Sequence, residues 1–345
     1  MRPNAKVIEH DRNQPETTLS IWDYLDRAVS VDRIEKGRDA MADYAGILQE
    51  ISARYDIPAN VVTAIWGLES AYGTVRGDRP VIQTLATLAF EGRRASLFEP
   101  QLIAALQILQ TGQVSPENLR GSWAGAMGHT QLMPISYQKY GVDFDGDGNC
   151  NIWDDDPADA LASAASYLVT AGWQINQPSI FEVDLTANFD FSACDVQTTK
   201  PVRAWALAGV ELGMGKLPDD SVRGSIWLPG GATGPVFMVF ENFSAILRYN
   251  ASRHYALAVA LLAGRISGAG SLRTDWPREI GTMDLDTRRE FQQLLTSTGF
   301  DTIGTDGIFG PNTFSALRKY QRAMGNVPDG FPTSELLQKL CQQDK

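Results

Sequence analysis

The sequence is poor in cysteine and histidine, with three of each among its 345 residues and no CxxC pair. A structural zinc site needs more ligands than this at close spacing, so none is expected. The cysteines, Cys150, Cys194 and Cys341, lie far apart in the chain. One disulfide with one thiol left over is open, and the count does not settle the redox compartment.

Long apolar runs and an excess of basic charge are also missing. The longest apolar stretch, Tyr255–Gly264, is too short to cross a bilayer, so no transmembrane segment is expected. The formal charge is −11, from 30 basic and 41 acidic residues. Nucleic acid is therefore not expected as a partner, because binding to phosphate needs a basic surface.

The N-terminal 18 residues are polar and lack the apolar region of a signal peptide. We expect a loose polar lead over residues 1–18, without a signal peptide or a lipid-attachment signal. This leaves either a cytoplasmic protein or a protein from which such a segment has been removed.

Hydrophobic periodicity predicts a mainly α protein of the α+β class. The helical spacing of apolar residues runs from about Thr18 to Ala89, and recurs at Pro100–Leu109, Ala158–Ala171 and Asn242–Leu262. Between residues 175 and 240 the chain is rich in Pro, Gly, Asp and β-branched residues. There SIWLPGGATGPVFMVF predicts two short strands around a turn, and hence a small β lobe inserted into a helical domain.

A glycine-rich stretch divides the chain, and we place a linker at residues 266–281, after a large domain at residues 19–265. Residues 282–345 are predicted to form a compact unit of three helices. Two similar turn signals occur in it, at Asp306–Gly307 and Asp329–Gly330. The pattern alone leaves a helical packing domain and a binding module equally open.

A carboxylate stands out in the helix that Pro58 is predicted to open and Gly73 to close. Val62, Ile65 and Glu69 lie three and four residues apart, on one stripe of this helix. A carboxylate on an apolar face is unfavourable unless it is paired, protonated or functional, and desolvation favours the protonated form that a general acid needs. The alternative is a glutamate at the edge of the stripe with its head in water.

The acidic loop GVDFDGDGNCNIWDDDPADA predicts a calcium site. Its Asp-x-Asp-x-Asp-Gly run matches the EF-hand frame, in which the glycine makes the sharp turn. Such a cluster repels itself without a cation, although an Asp- and Gly-rich surface turn is the alternative. The predicted ligands are the side chains of Asp143, Asp145 and Asp147, the backbone carbonyl of Asn149, and a closing carboxylate from Asp154 or Asp159.

Two further segments carry candidate binding residues. Small residues in GSWAGAMGHTQLMP predict close backbone packing, with the polar groups of Ser122 and Gln131 beside it. In ENFSAILRYNASRHYA, Tyr249, Asn250 and Tyr255 combine aromatic faces with an amide, as a carbohydrate cleft would. Tyrosines of the core are an equally good interpretation.

His129 is the only histidine near these segments, and it has no Cys or His partner at ligand spacing. We therefore expect an incidental surface residue, or one that lies behind the site.

These segments together resemble the membrane-bound lytic murein transglycosylase B family. The motifs WGLESAYG, LATLAFEGRR, GSWAGAMGHTQLMP, DFDGDGNCNIWD and RYNASRHYA occur in the family's order, over roughly residues 30–265. The tail, with TDGIFGPNTFSALRKYQRAMGNVPDG, is similar to the peptidoglycan-binding type 1 domain. The resemblance implies a lysozyme-like helical core with an extra α lobe and a small β lobe, plus a small three-helix C-terminal domain.

The resemblance also implies a role for each candidate residue. Glu69 falls on the family's single catalytic acid/base, and the acidic loop falls on its EF-hand-like calcium site, where calcium is structural. Asp159 is the preferred closing ligand because it directly precedes the helix ALASAASYL. No organic cofactor is implied. The substrate-cleft positions are Ser122, Gln131, Tyr167, Tyr249, Asn250 and Tyr255.

A single catalytic carboxylate implies a reaction without water, since ordinary glycosidases use two carboxyl groups. Glu69 would protonate the oxygen of the MurNAc-β-1,4-GlcNAc bond while the acetamido group stabilises C1. It would then take the proton of the 6-hydroxyl, which closes on C1 to give a 1,6-anhydroMurNAc end. Glu91 and Glu99, the other acidic residues near these motifs, stay open as cleft residues.

Two other functions stay open: a hydrolytic muramidase on the same fold, and a non-catalytic cell-wall-binding scaffold stabilised by calcium. Peptidoglycan glycan strands are the implied substrate, cell-wall remodelling proteins are implied partners, and a monomer is expected. The resemblance implies the periplasm of a Gram-negative bacterium as the location.

Overall fold

The computed structural model describes residues 3–12, 19–194, 198–212, 219, 221–281 and 283–343. Helices dominate these residues, with seven short strands. The helices are α1 (Ala5–Arg12), α2 (Ile21–Ala28), α3 (Val31–Asp43), α4 (Ala45–Tyr55), α5 (Ala59–Ser70), α6 (Val81–Glu91), α7 (Ala95–Thr111), α8 (Pro134–Tyr140), α9 (Ala158–Thr170), α10 (Val202–Leu207), α11 (Glu241–Tyr249), α12 (Arg253–Ile266), α13 (Leu285–Ser297), α14 (Pro311–Ala323) and α15 (Ser334–Gln343). The strands are β1 (Arg79–Pro80), β2 (Arg120–Gly121), β3 (Ile180–Leu185), β4 (Lys200–Pro201), β5 (Val210–Leu212), β6 (Arg223–Trp227) and β7 (Val236–Val239). The mainly helical fold predicted from the sequence is confirmed.

The chain forms two compact units. The helical unit contains residues 1–17, 25–175 and 244–270, and the sheet unit contains residues 18–24, 176–243 and 271–345. The three C-terminal helices therefore cluster with the β lobe, although the order of the elements along the chain gives no sign of this.

Helix α5 lies in the core of the helical unit. The seven residues from Val61 to Gly67 are all buried, and five alanines of α9 are also buried. A helix that is buried on every side lies inside a core and not on its surface. The apolar stripe predicted through Val62 and Ile65 is therefore only one part of a helix that is surrounded by protein.

The ends of α5 are set by local conformation. The helix begins directly after Pro58, as predicted, and it ends at Ser70, before Gly73. Ala71, Tyr72 and Gly73 have φ angles of 48°, 58° and 84°. Three consecutive residues in the left-handed region end the helix and turn the chain back beside its own last turn.

Two predictions about helices need correction. Helix α7 begins at Ala95, so Pro100 lies inside it, where the proline cannot donate a hydrogen bond to the carbonyl of Ser96. The stretch predicted at residues 242–262 is two helices, because the chain breaks after Tyr249 and Ser252 then caps α12.

The N-terminal segment is not a loose lead over its described residues. Helix α1 buries Val7 completely, and the carboxylate of Asp11 pairs with Arg93 and Arg94 at the start of α7. The sequence does not predict these contacts, because one buried apolar residue in a short polar segment gives no hydrophobic periodicity.

The sheet unit contains a five-stranded antiparallel sheet in the order β4-β6-β7-β3-β5. The two strands predicted in SIWLPGGATGPVFMVF are β6 and β7, paired with Trp227 opposite Phe237. Strand β7 is buried along its whole length, as a central strand requires. The three predicted C-terminal helices are α13, α14 and α15, which pack around Phe291, Leu317 and Tyr320.

All three cysteines lie in the described residues and are free, so the disulfide that the sequence left open is not formed. None of the described helices has both the length and the apolar character that crossing a membrane requires.

Candidate active site

Glu69 lies in the last turn of α5, where its side chain is half-buried. Its neighbour Ser70 is buried and fixes this turn from both sides. The Ser70 hydroxyl donates to the carbonyl of His129 at 2.6 Å and accepts the N–H of Gly73 at 3.0 Å. The backbone that carries Glu69 is therefore tied to a segment 60 residues away in sequence.

His129 is 3% exposed, so of the two alternatives the incidental surface residue is wrong and the residue behind the site fits. Trp66, one turn before Glu69, donates its indole N–H to Nδ1 of His129 at 3.1 Å. Nδ1 must then be an acceptor, and Nε2 carries the proton and donates to the carbonyl of Asp154 at 2.6 Å. Burial lowers the pKa of His129, and the bond to the Asp154 carbonyl opposes this shift.

Arg76 lies beside this histidine, with Nη1 3.1 Å from Nε2, and binds the end of the acidic loop. Its guanidinium donates to the carbonyl of Trp153 at 2.8 Å and to the carboxylate of Asp155 at 2.8 Å. The carbonyl of Arg76 in turn accepts the side-chain N–H of Gln131 at 3.0 Å. Arg76 gave no signal in the sequence, because a lone arginine in a loop is usually a solvated side chain.

Tyr72 fills a slot beside α5, which we call the tyrosine slot. A Cβ atom at Gly67 or at Gly37 of α3 would lie 2.5 Å from the Tyr72 side chain, so only glycine fits there. The Tyr72 hydroxyl donates to the carbonyl of Arg33 at 2.7 Å, and burial raises its pKa to about 12. The slot holds α5 against α3 directly beneath the turn that carries Glu69.

Tyr249 is a partly buried tyrosine whose side chain lies near Glu69. Its hydroxyl donates to the carbonyl of Thr130, and burial, followed by the negative charge of Glu69, raises its pKa well above the ordinary value. The ring centroids of Tyr249 and Tyr167 are 4.7 Å apart, and Tyr167 donates to the carbonyl of Arg248. The structure thus brings Glu69, Tyr249 and Tyr167 together.

Ser122 and Gln131 lie on one irregular β segment. The Ser122 N–H donates to the carbonyl of Ala126 at 2.8 Å, and its hydroxyl accepts the N–H of the same residue at 3.1 Å. Gln131 has a φ of 49° and donates its side-chain N–H to the carbonyl of Gly128 at 2.7 Å. The expected close backbone packing is confirmed, since a Cβ atom at Gly128 would lie 2.2 Å from the Ile152 carbonyl.

Asn250 and Tyr255 flank the break between α11 and α12. The side chain of Asn250 accepts the N–H of Ser252 at 3.2 Å and so supports the start of α12. Tyr255 is 5% exposed. Its burial favours the core interpretation that the sequence left open.

The acidic loop brings three carboxylates together. Ligand oxygens of Asp143, Asp145 and Asp147 all lie within 4.8 Å of one another, as a site for a metal ion requires. Each carboxylate also accepts a backbone N–H a few residues further on, including the bond from Gly148 to Asp143 at 3.0 Å. Carboxylate oxygens are the ligands that Ca²⁺ prefers, so this donor set fits that ion.

The two predicted closing carboxylates hold the loop by hydrogen bonds. Asp159 is 4% exposed and accepts the N–H groups of Phe144 at 2.7 Å and Asn151 at 2.6 Å. Burial raises its pKa, and these bonds oppose the shift. Asp154 accepts the side-chain N–H of Asn151. Within the described residues, the group of converging carboxylates contains neither of the two.

Comparison with known families assigns the chain. Residues 1–264 match the family described as the transglycosylase SLT domain, and residues 285–340 match a peptidoglycan binding domain. The chain belongs to the SLT transglycosylase family.

Individual relatives agree with this assignment. Membrane-bound lytic murein transglycosylase B of Escherichia coli (strain K12) is 34% identical over 239 residues, which are 68% of this chain and 64% of that protein. The alignment thus spans just under two thirds of the relative's length.

Solved structures are similar as well. The crystal structure of SltB3 from Pseudomonas aeruginosa in complex with NAG-anhNAM-pentapeptide is 46% identical, with a TM-score of 0.94 over 99% of this chain and 92% of that chain. The Escherichia coli lytic transglycosylase Slt35 in complex with calcium is 31% identical, with a TM-score of 0.67 over 77% of this chain and 84% of that chain.

Proposed function

We propose that this protein is a peptidoglycan lytic transglycosylase, which cleaves the MurNAc-β-1,4-GlcNAc bond without water and leaves 1,6-anhydroMurNAc ends. The observation that carries this proposal is the position of Glu69. It is a half-buried carboxylate on a turn that buried hydrogen bonds fix on both sides, in a chain of the SLT transglycosylase family.

Glu69 serves as both acid and base. It protonates the glycosidic oxygen, and the MurNAc acetamido group stabilises the cationic C1. The resulting carboxylate takes the proton of the 6-hydroxyl of the same sugar, and this oxygen closes on C1. The atoms of the glycan are conserved in this reaction, so the enzyme is a lyase.

Tyr249 and Tyr167 supply aromatic surface beside Glu69, and aromatic rings pack well against sugar rings. Ser122, Gln131 and Asn250 supply polar groups that orient the substrate, while the burial of Tyr255 makes it a support for this wall. A bound glycan removes water from the Glu69 carboxyl and so favours its protonated form, which is the form that the first step needs.

The acidic loop binds a structural Ca²⁺ through Asp143, Asp145, Asp147 and the Asn149 carbonyl, which neutralises their mutual repulsion. The ion plays no part in the bond cleavage. Residues 19–265 form the catalytic domain, residues 266–281 the linker, and residues 282–345 the domain that holds peptidoglycan. The enzyme acts in the periplasm of a Gram-negative bacterium, as a monomer beside other cell-wall remodelling proteins; the family match supports this location.

The deciding experiment is mass spectrometry of the fragments released from purified sacculi by the wild type and by Glu69→Gln. We expect wild-type products that are lighter by one water than hydrolytic products, and a loss of nearly all release with Glu69→Gln. Glu50→Gln is the matched control, because Glu50 is an exposed glutamate on α4 and is not among the candidate cleft residues.

The other outcomes would change the assignment. Reducing ends in the products would mean a hydrolytic muramidase. No release by the wild type, with binding to sacculi retained, would mean a non-catalytic scaffold.

A further inference from the structure

The C-terminal helices contain an internal repeat. In the first half, the side-chain oxygen of Gln292 on α13 accepts the N–H of Gly307 at 2.7 Å. In the second half, Gln321 on α14 accepts the N–H of Gly330, also at 2.7 Å. Both glutamines are buried, and each holds the glycine of an Asp-Gly turn.

The two turns are also alike beyond the glycine. The carboxylate of Asp306 accepts the N–H of Ile308 at 2.8 Å, and that of Asp329 accepts the N–H of Phe331 at 2.8 Å. An apolar residue therefore follows each Asp-Gly pair at the same place. The turns differ in one contact, because the side-chain N–H of Gln321 donates to Asp329 whereas that of Gln292 donates instead to the Ile308 carbonyl. The shared contacts are those of the glycine and of the apolar residue, so what one turn binds through its second carboxylate oxygen indicates what the other can bind.

The second turn binds a segment of the same unit, the loop between β6 and β7. Oδ2 of Asp329 accepts the backbone N–H of Ala232 at 2.9 Å. Gly231 approaches so closely that a Cβ atom there would lie 2.9 Å from Asp329 Oδ2 and from Phe331 Cβ. The bound segment thus consists of two very small residues. The carboxylate of Asp329 accepts its N–H, and the side chain of Phe331 lies beside it.

The first turn presents the same pair of groups to solvent. Asp306 is exposed, Ile308 is 69% exposed, and Ile303 in the same loop is 73% exposed. The first turn therefore offers a carboxylate and an apolar side chain to a ligand, where the second turn already holds one.

We propose that the turn Asp306–Ile308 is a peptide-binding site, which takes a short peptide of small residues through its backbone N–H. This rests on the proposed function, since in peptidoglycan the part with this chemistry is the stem peptide and not the glycan. The second oxygen of the Asp306 carboxylate accepts the peptide N–H, as Asp329 does with Ala232. Ile308 lies against the preceding residue of the peptide, as Phe331 lies against Gly231.

Asp306→Asn is the sharpest variant. The asparagine oxygen still accepts the N–H of Ile308, so the turn is kept, while the second carboxylate oxygen becomes an NH₂ group that cannot accept. Asp301→Asn is the matched control, because Asp301 is exposed, lies in the same loop and accepts the N–H of Ile303 at 2.8 Å. Ile308→Ser tests the apolar contact separately.

Binding is measured with the full-length chain carrying Glu69→Gln, which prevents digestion. The probes are intact sacculi, and glycan strands freed of their peptides by an amidase and immobilised on beads. On intact sacculi we expect about tenfold weaker binding for Asp306→Asn, the size of a lost hydrogen bond to a charged group, and weaker binding for Ile308→Ser. Asp301→Asn should match its parent, and all four chains should bind the peptide-free glycan equally.

Equal binding of Asp306→Asn and Asp301→Asn to intact sacculi would overturn the proposal. An equal loss on both probes would overturn it as well, because the turn would then recognise glycan. Release of anhydro products by chains with Glu69 intact is measured separately, so a failure of the proposed catalysis is seen in that assay and not in this one.

Discussion

The last turn of α5 and the acidic loop both present carboxylates, and they hold them in opposite ways. The turn that carries Glu69 is fixed by buried groups from distant parts of the chain, among them His129 and the Arg33 carbonyl. The three converging carboxylates of the acidic loop accept N–H groups two to five residues away. The first is therefore organised by the whole fold, whereas the second is organised locally and brings three like charges together.

The largest expected loss of stability comes from a change behind the turn that carries Glu69. His129→Ala removes the acceptor of the Trp66 indole N–H and leaves a cavity behind Glu69. A buried donor without a partner, together with the cavity left by the lost imidazole ring, predicts a loss of about 2–4 kcal/mol in the free energy of unfolding. Turnover should fall too, since the turn that carries Glu69 loosens. Denaturant unfolding and the release of anhydro products measure the two effects.

His10→Ala is the control for this variant, because His10 is exposed, bonds to the Lys6 carbonyl of its own helix and has its ring 6.1 Å from that of Trp123. It should change stability by less than about 0.5 kcal/mol. If His129→Ala changed the stability as little as His10→Ala, the turn that carries Glu69 would not depend on contacts with distant residues.

The next effect is on the acidic loop. Removal of calcium with a chelator should lower the melting temperature, because an ion at a hundred times its Kd stabilises the folded state by about 2.7 kcal/mol. The double variant Asp145→Asn, Asp147→Asn should melt at one temperature with and without the chelator. The measurement is thermal unfolding at fixed calcium concentrations.

Asp78→Asn controls for loss of an exposed carboxylate outside the loop, and it should keep the full response to calcium. Asp154→Asn separates the two closing ligands. A retained response would favour Asp159, and a lost response would favour Asp154. Identical melting of the wild type with and without the chelator would remove the calcium site altogether.

The smallest expected loss of stability concerns Asp11, a buried carboxylate that is paired with two arginines. Burial alone would raise its pKa, but hydrogen bonds from Arg93 and Arg94 outweigh this and lower the pKa below the ordinary value of 3.8. A lowered pKa in the folded state means that the stabilisation is present above the ordinary value and is lost as the pH falls through the folded one. Asp11→Asn should therefore cost about 1–2 kcal/mol at pH 7, because the arginines are partly exposed and screened.

This difference between the wild type and Asp11→Asn should shrink when unfolding is followed below pH 3.8. Glu9→Gln, on the exposed side of the same helix, should show no such change with pH. A difference that stays constant in acid would mean that Asp11 acts by packing and not by charge.

The sequence predicted what depends on local pattern. The start of α5 after Pro58, the three convergent aspartates and the strands β6 and β7 are all read from neighbouring residues. Glu69 was found because a carboxylate is out of place on an apolar helix. The position of each of these residues follows from chemistry within a few positions along the chain.

What the sequence did not predict depends on contacts between distant residues. His129 looked incidental because the groups that make it a buried acceptor, Trp66 and Asp154, lie 63 and 25 residues away. Tyr72 and Arg76 gave no signal for the same reason. The Asp329 turn was noted as a repeat, but its contact with Ala232 exists only once the sheet and the C-terminal helices have folded together.

The tyrosine slot has a consequence for how this chain can change over time. A side chain gained at Gly67 would collide with the Tyr72 ring unless residue 72 became smaller in the same lineage, and one gained at Gly37 would also collide with Ile266. A smaller residue 72 arriving first would leave a cavity beside the turn that carries Glu69. Gly67 and Tyr72 can therefore change only together, and Gly37 only with Ile266 as well.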